Sequence, residues 1–444
     1  MTSLKKSQDR GLVFKGGITV FTSLIFILLL SLVGALVESV SIQISRSRKR
    51  ADTLLALESV FAEYSTDLLE QYELFARFNI TSENIENRLS YYGANHMTHT
   101  ILKREFLTDY QGMPFYHQAV QYMKDLVGLD HVPGESTYNF SPDEEIQIEE
   151  QNNQMELENL LEDEGAELPT ENNPLKNIYR LKGNPLLPIL IPNSITLSEQ
   201  SISLETLPSK RQLQKGNYAK VEEGGAVDKA FFVAYVMEYF CDITDEKDGK
   251  NLFYEIEYLL GGQENDRENL EIVCKKIMNL RTIANYSYLL TDATRKAEAD
   301  AMALTLCSLV GMPGLQGVLK QALLFAWAYG ESIVDVRTLL KGEKVPFVKT
   351  GENWQLQLKS LMTLGTAEEE VTEKSTESGF SYQDYLKGLL LLEAKETLSM
   401  RCLDLVESNL GVAMDQCVTK IKIKSKANLR RGIEEIFTTS FQYR

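Results

Sequence analysis

The chain has 444 residues, 43% of them apolar and 25% charged, which is the composition of an ordinary globular protein long enough for at least two folded units. A formal charge of -17 argues against nucleic acid as a partner, because phosphate asks for a basic face and this chain offers mostly carboxylates. The five cysteines (Cys241, Cys274, Cys307, Cys402 and Cys417) are odd in number and lack CxxC spacing, which excludes a structural zinc site built on them and reads as buried free thiols.

Residues 1–17 form a short basic leader carrying Lys5, Lys6, Arg10 and Lys15. From Ile18 to Val37 no charged residue occurs, and at 1.5 Å per residue that run covers about 30 Å, the thickness of a hydrocarbon core. The run predicts a transmembrane helix at 18–37, with Ile18, Val20, Phe21, Leu24, Ile25, Leu28, Leu29, Leu32 and Val37 as the anchor. The competing reading is a cleaved signal peptide with Val33-Gly34-Ala35 as its small-residue site. Basic residues flank both ends, with Arg46, Arg48, Lys49 and Arg50 on the far side, so charge alone does not set the orientation. Large downstream domains translocate with little regard to charge, which favours a cytoplasmic leader and an extracytoplasmic body.

No glycine or proline occurs between Ala35 and Tyr92. Within that stretch Leu54, Leu57, Phe61, Tyr64, Leu68, Tyr72 and Phe75 recur every three or four residues. The spacing predicts an amphipathic stalk over 38–78, continuous with the membrane span, so that Ile18 to Phe75 forms one helix of roughly 87 Å. Its stripe packs either on the chain's own body or on copies of the chain in a coiled coil.

Residues 79–132 read as a small helical segment rich in tyrosine and phenylalanine, holding all four histidines (His96, His99, His117 and His131). Their spacing lacks the HExxH pattern, so they read as solvated side chains rather than metal ligands. Residues 133–173 crowd carboxylates among Asn and Gln, which predicts a disordered linker or loop, and the EF-hand spacing for calcium is missing. The prolines at 185, 188 and 192 exclude a helix across 173–192 and predict an extended apolar segment.

The remaining body, 174–444, predicts helices near 228–242, 266–289, 292–310, 313–340 and 382–410. Three strands are expected, at Phe253 to Leu260, Lys344 to Lys349 and Val418 to Lys424, the last alternating apolar and basic residues as a strand with one wet face does. The expected class is α+β: an N-terminal transmembrane helix continuing into a long amphipathic helix, then a mixed helical body with a small antiparallel sheet. Trp327, Glu331 and Asp335 fall on one face of a predicted helix. No GxSxG elbow, phosphate-binding glycine loop or kinase signature is present, so neither catalytic residues nor a cofactor is assigned, and no enzymatic activity is expected.

The segments KGGITVFTSL, a leucine-rich span ending in LVES and RSRKRADTLLALESVFAEYSTDLLEQYELF resemble pilin-related proteins. The chain is similar to an uncharacterised family of clostridial membrane proteins whose N-terminus resembles the TadE and TadG pseudopilins of Tad (Flp) pilus systems. The similarity continues through residues 286–306, 323–356 and 381–392. It implies leader processing between Gly17 and Ile18, although Thr22 stands at the fifth mature position where typical pilins carry glutamate. The function so implied is a non-enzymatic component of a pilus or secretion assembly, with the cytoplasmic membrane, assembly proteins or copies of itself as partners. The alternative is a stand-alone anchored surface protein that binds a ligand or a cell-wall polymer.

Overall fold

A computed structural model describes residues 14–127, 173–191, 197–220, 225–369 apart from 246 and 248, and 376–443 apart from 377, 430 and 431. The acidic stretch 133–173, except Asn173, and the positions of His131 and Pro192 lie outside the described residues.

The first helix, α1, spans Phe14–Phe61 and so joins the predicted apolar span to the predicted stalk without a break. It stops fourteen residues short of Phe75, and α2 (Thr66–Tyr72) begins after a turn, which corrects the expectation of one helix through Phe75. Tertiary contacts decide that break. The Glu63 carboxylate receives Arg77 at 2.9 Å, Arg88 at 3.1 Å and the Tyr92 hydroxyl at 2.7 Å, and the Ser65 amide donates to the Ala76 carbonyl. Ser65-Thr66-Asp67 is a helix-start signal inside the apolar stripe, with Ser65 in the extended N-cap conformation.

Beyond the turn come β1 (Arg77–Phe78), α3 (Ser82–Tyr91), β2 (Met97–Phe106) and α4 (Asp109–Val127). The segment 79–132 is therefore not helical throughout. Met97, His99 and Ile101 alternate with Thr98 and Thr100, a period of two that marks β2 as a strand with one buried face. Two strands follow at the far end of the chain, β3 (Cys417–Asn428) and β4 (Glu434–Gln442). The sheet is antiparallel and centred on β3. One edge of β3 pairs with β2, and the other carries β1 at its start and β4 along the rest.

The helical body consists of α5 (Pro174–Lys182), α6 (Leu187–Leu190), α7 (Ala226–Tyr239), α8 (Glu255–Gly261), α9 (Asp266–Thr291), α10 (Ala293–Val310), α11 (Gln316–Leu340), α12 (Tyr382–Leu392) and α13 (Lys395–Leu410). Three expectations fail here. Pro174 sits in the first turn of α5, where its missing N–H costs nothing, and Pro188 occupies the same place in α6. Residues 255–261 form a helix rather than a strand: Glu255 to Leu260 are all buried, so their apolar-acidic alternation did not report a wet face. Lys344 to Lys349 makes a lone bridge, Val345 to Phe380, instead of a strand.

Apolar side chains gather into two cores. The larger unites α2, α4 and the helical body. The smaller holds Leu57 and Phe61 of α1 with α3 and the inner face of the sheet. Cys417 belongs to the first and Val418 to the second, so β3 begins where the two cores meet. All five cysteines are buried and unpaired.

Candidate functional site

The anchor residues Ile18, Val20, Phe21, Leu24, Ile25, Leu28, Leu29, Leu32 and Val37 are all exposed, between 43% and 66% of their surface. Nothing in the described chain covers them, and the helix carrying them has a mean hydropathy of 2.7 in its most apolar window. Among the described residues this is one N-terminal helix long and apolar enough to cross a membrane. In water such a surface is strongly unfavourable, whereas in lipid it is matched.

At its other end α1 locks onto the body. Thr53, Ala56, Leu57, Val60 and Phe61 are buried at the i, i+3, i+4, i+7, i+8 spacing of one helical face. Phe61 stacks on Phe441 (4.5 Å between centroids) and meets Tyr443 edge-on (5.5 Å), and the Tyr443 hydroxyl donates to the Phe61 carbonyl that the helix end leaves free. Arg46 and Arg50 both reach Glu435 on β4, at 3.1 Å and 2.7 Å, and Lys49 donates to the Asn95 carbonyl.

The predicted stalk face is thus brought together in part. Leu57, Phe61, Leu68 and Tyr72 are buried, Tyr64 and Phe75 are half-buried and pack edge to face at 5.3 Å, while Leu54 is 42% exposed at the margin of the packed face. Leu68 and Tyr72 belong to α2 and the larger core, not to α1. Gly17 closes the first turn of α1 and Ile18 opens the second.

Trp327, Glu331 and Asp335 lie on one face of α11, and that face points inward rather than to a groove. Lys349 lies 2.7 Å from Glu331 Oε1 and 2.6 Å from Asp335 Oδ1. Arg281 on α9 donates through Nε (3.0 Å) and Nη2 (2.7 Å) to Asp335 Oδ2, and through Nη1 to the carbonyls of Pro346 (3.0 Å) and Phe347 (2.9 Å). Glu331 accepts further bonds from the Gln355 and Leu356 amides. Burial raises the Glu331 carboxyl above its ordinary range; at Asp335 burial acts the same way, but Arg281 and Lys349 outweigh it and hold the group low. Two carboxylates and two cations form a cluster whose four head groups are sealed from solvent. It is closed to any substrate and fixes α9, α11 and the 345–356 segment in one register. Sequence periodicity located the two acids; their partners come from α9 and from the segment that follows α11.

A second buried acid is less well matched. Glu257 accepts from the Tyr382 hydroxyl (2.8 Å) and the Ile243 amide (3.2 Å), but Oε2 has no partner, and burial followed by the nearby Asp242 raises its carboxyl to about 8. The unfolded chain ionises this group near its ordinary value of 4.5, so between roughly pH 5 and 8 the unfolded state holds fewer protons and stability falls as pH rises. The linkage limit is about 1.4 kcal/mol per pH unit. Relaxation of a real interior reduces this to about 2 kcal/mol over the window. Glu257→Gln should remove that slope and raise the melting temperature at pH 8 more than at pH 5. An unchanged pH profile in the variant would refute the assignment.

Among the described residues the histidines form no metal-holding group. His99, expected to be solvated, is buried on β2 with Nδ1 2.9 Å from the Ser425 hydroxyl and Nε2 facing the Ala94 carbonyl; burial lowers its pKa. Among the described residues no group of three His, Cys, Asp or Glu side chains is placed to hold a metal ion. A cleft of about 300 Å³ opens between α4 and the end of the sheet, where Lys124 pairs with Asp228 and Glu105 lies beside Lys420.

Residues 164–429 match a family described as a family of unknown function (DUF5702). The match runs from before α5 to the end of β3 and takes in the buried charge cluster, but not α1 or the strands beside β3. No curated protein and no solved structure matches.

Proposed function

We propose a role for this chain, which belongs to the DUF5702 family of unknown function, from its anchor: it is a non-enzymatic, pseudopilin-like component of a Tad/Flp-type pilus or secretion assembly, with its body outside the cytoplasmic membrane. The observation that carries the reading is α1 itself. A single helix of 48 residues, about 72 Å long, leaves its apolar half bare and buries its other end in the body, so a force or displacement on the membrane half is passed rigidly to the sheet. A plain anchor needs no such stiffness; a flexible linker would serve it.

Arg46, Arg50 and Lys49 support the orientation, because three of the four basic residues beyond the span are engaged by the body rather than free to hold the cytoplasmic side. Protease added to intact spheroplasts should therefore degrade the body and leave the Ile18 to Val37 span protected. Full protection until lysis would overturn the orientation. For the assembly role, photo-crosslinkers at Leu24 and Leu28 should yield adducts with a pilin, a polytopic platform protein or a second copy. Adducts with lipid alone would sink the pseudopilin reading and leave an anchored surface protein.

A further inference from the structure

The sheet turns one face onto α1 and α3, and its other face carries charge opposite to that of the chain as a whole. Along β3, Ile421, Ile423, Ser425 and Ala427 are buried, while Lys420, Lys422, Lys424 and Lys426 point the other way. On β2, Thr98 pairs with Lys426, Thr100 with Lys424 and Lys103 with Lys422; on β4, Thr438 pairs with Lys424 and Ser440 with Lys422. The four lysines of β3 therefore form a row roughly 20 Å long, one charge about every 6.7 Å, with hydroxyls beside Lys422, Lys424 and Lys426 and the Glu105 carboxylate opposite Lys420.

Several features mark this row as a site for an anion rather than a solvated face. Lys103 and Lys422 lie directly opposite each other on neighbouring strands, an arrangement that destabilises a sheet unless a counter-charge bridges it. Among the described residues neither of them nor Lys424 has an ion pair; Lys420 faces the Glu105 carboxylate across the strand pair, and Lys426 has Glu434 at 2.8 Å with both side chains about half exposed. The row is closed at one end, where the Tyr218 ring lies 5.6 Å from the Lys103 ammonium and 4.7 Å from that of Lys420. At the other end it is open.

The direction of the row selects the shape of the anion. Arg46 and Arg50 of α1 meet Glu435, beside the Lys426 end, and Phe61 meets Phe441, beside the Lys420 end. The row thus runs alongside the membrane helix, with its open end towards the membrane. A bilayer surface reaches only the lowest lysine of such a row, whereas a linear chain leading away from the membrane reaches all four. The residue types point the same way: ammonium groups are point charges without the fork that grips a carboxylate, serine and threonine hydroxyls donate to phosphate oxygens, and the open part of the row has no aromatic platform for bases.

We propose that the outward face of the sheet binds a linear envelope polyanion, a polyol-phosphate chain whose phosphodiesters repeat along its length, laid along β3. The inference rests on the extracytoplasmic placement proposed above, but binding by the purified chain does not depend on it, so the two fail separately.

The full chain in phosphatidylcholine nanodiscs should bind fluorescent poly(glycerol phosphate), with affinity falling roughly 50-fold between 50 and 200 mM salt if four phosphates are engaged. The pair Lys422→Glu and Lys424→Glu should weaken binding at least tenfold, and the milder Lys422→Gln and Lys424→Gln pair should fall between, with unchanged circular dichroism. Lys275→Glu with Lys387→Glu, two exposed lysines elsewhere, should leave binding as it was. Equal losses in both pairs would reduce the effect to overall charge, and wild-type affinity in the Lys422 and Lys424 variants would remove the site. Binding to phosphatidylglycerol nanodiscs but not to free polymer would assign the face to lipid and overturn the proposal. So would polymer binding that appears only after deletion of Glu144 to Glu167, since the chain's own carboxylates would then be its occupant.

Discussion

Lys349→Ala and Arg281→Ala should each lower the stability of the detergent-solubilised chain by about 3–5 kcal/mol, because each leaves two carboxylates sealed in the interior with a single cation between them. Removing Lys349 strips Glu331 of its ion pair and Asp335 of one of two; removing Arg281 also abandons the Pro346 and Phe347 carbonyls. The size of the loss separates this cluster from surface charge. Lys275→Ala, which breaks the exposed pair with Glu271, should change stability by less than about 0.5 kcal/mol. Chemical denaturation of the three variants under one set of conditions is the check, and a cluster variant that behaves like Lys275→Ala would mean that water reaches these groups. The effect should appear as loss of the whole helical body, since the cluster joins α9, α11 and the extended 345–356 segment within one core.

Phe61→Ala should cost about 3–5 kcal/mol and Leu57→Ala about 2–5 kcal/mol, while Leu54→Ala should stay within about 0.5 kcal/mol. Phe61 and Leu57 are fully buried against the sheet, and Phe61 loses its stacking with Phe441 and its edge contact with Tyr443 as well as its area. Because the partner surface belongs to the same chain, the losses should not depend on protein concentration. A coiled coil between copies would instead make stability rise with concentration by mass action. Wild-type stability in Phe61→Ala would detach the apolar half of α1 from the body, and with it the argument that the two move as one. Leu68→Ala, placed with these residues by periodicity, should instead weaken the larger core, since Leu68 lies on α2.

The sequence by itself determined the features that depend on neighbours along the chain. The uncharged run from Ile18 to Val37, the helix that continues beyond it, the long body helices α7, α9, α10 and α11 and the strand at Val418 to Lys424 all follow from composition and period, because burial on one face imposes that period directly. Tertiary structure decided what period could not report. Glu63 ends α1 because three donors, from β1, α3 and the residue that caps α3, converge on it, none of them visible in the stripe around it. Glu255 to Leu260 fold as a helix because both faces are buried, so the alternation that suggested a strand had no wet side to mark. Glu331 and Asp335 became the centre of a sealed charge cluster because Arg281 on α9 and Lys349 in the segment that follows α11 supply charges that a low-dielectric interior requires. The lysines of β3 became a row facing outward along the membrane helix because β2 and β4, from opposite ends of the chain, pair on either side and fix their register.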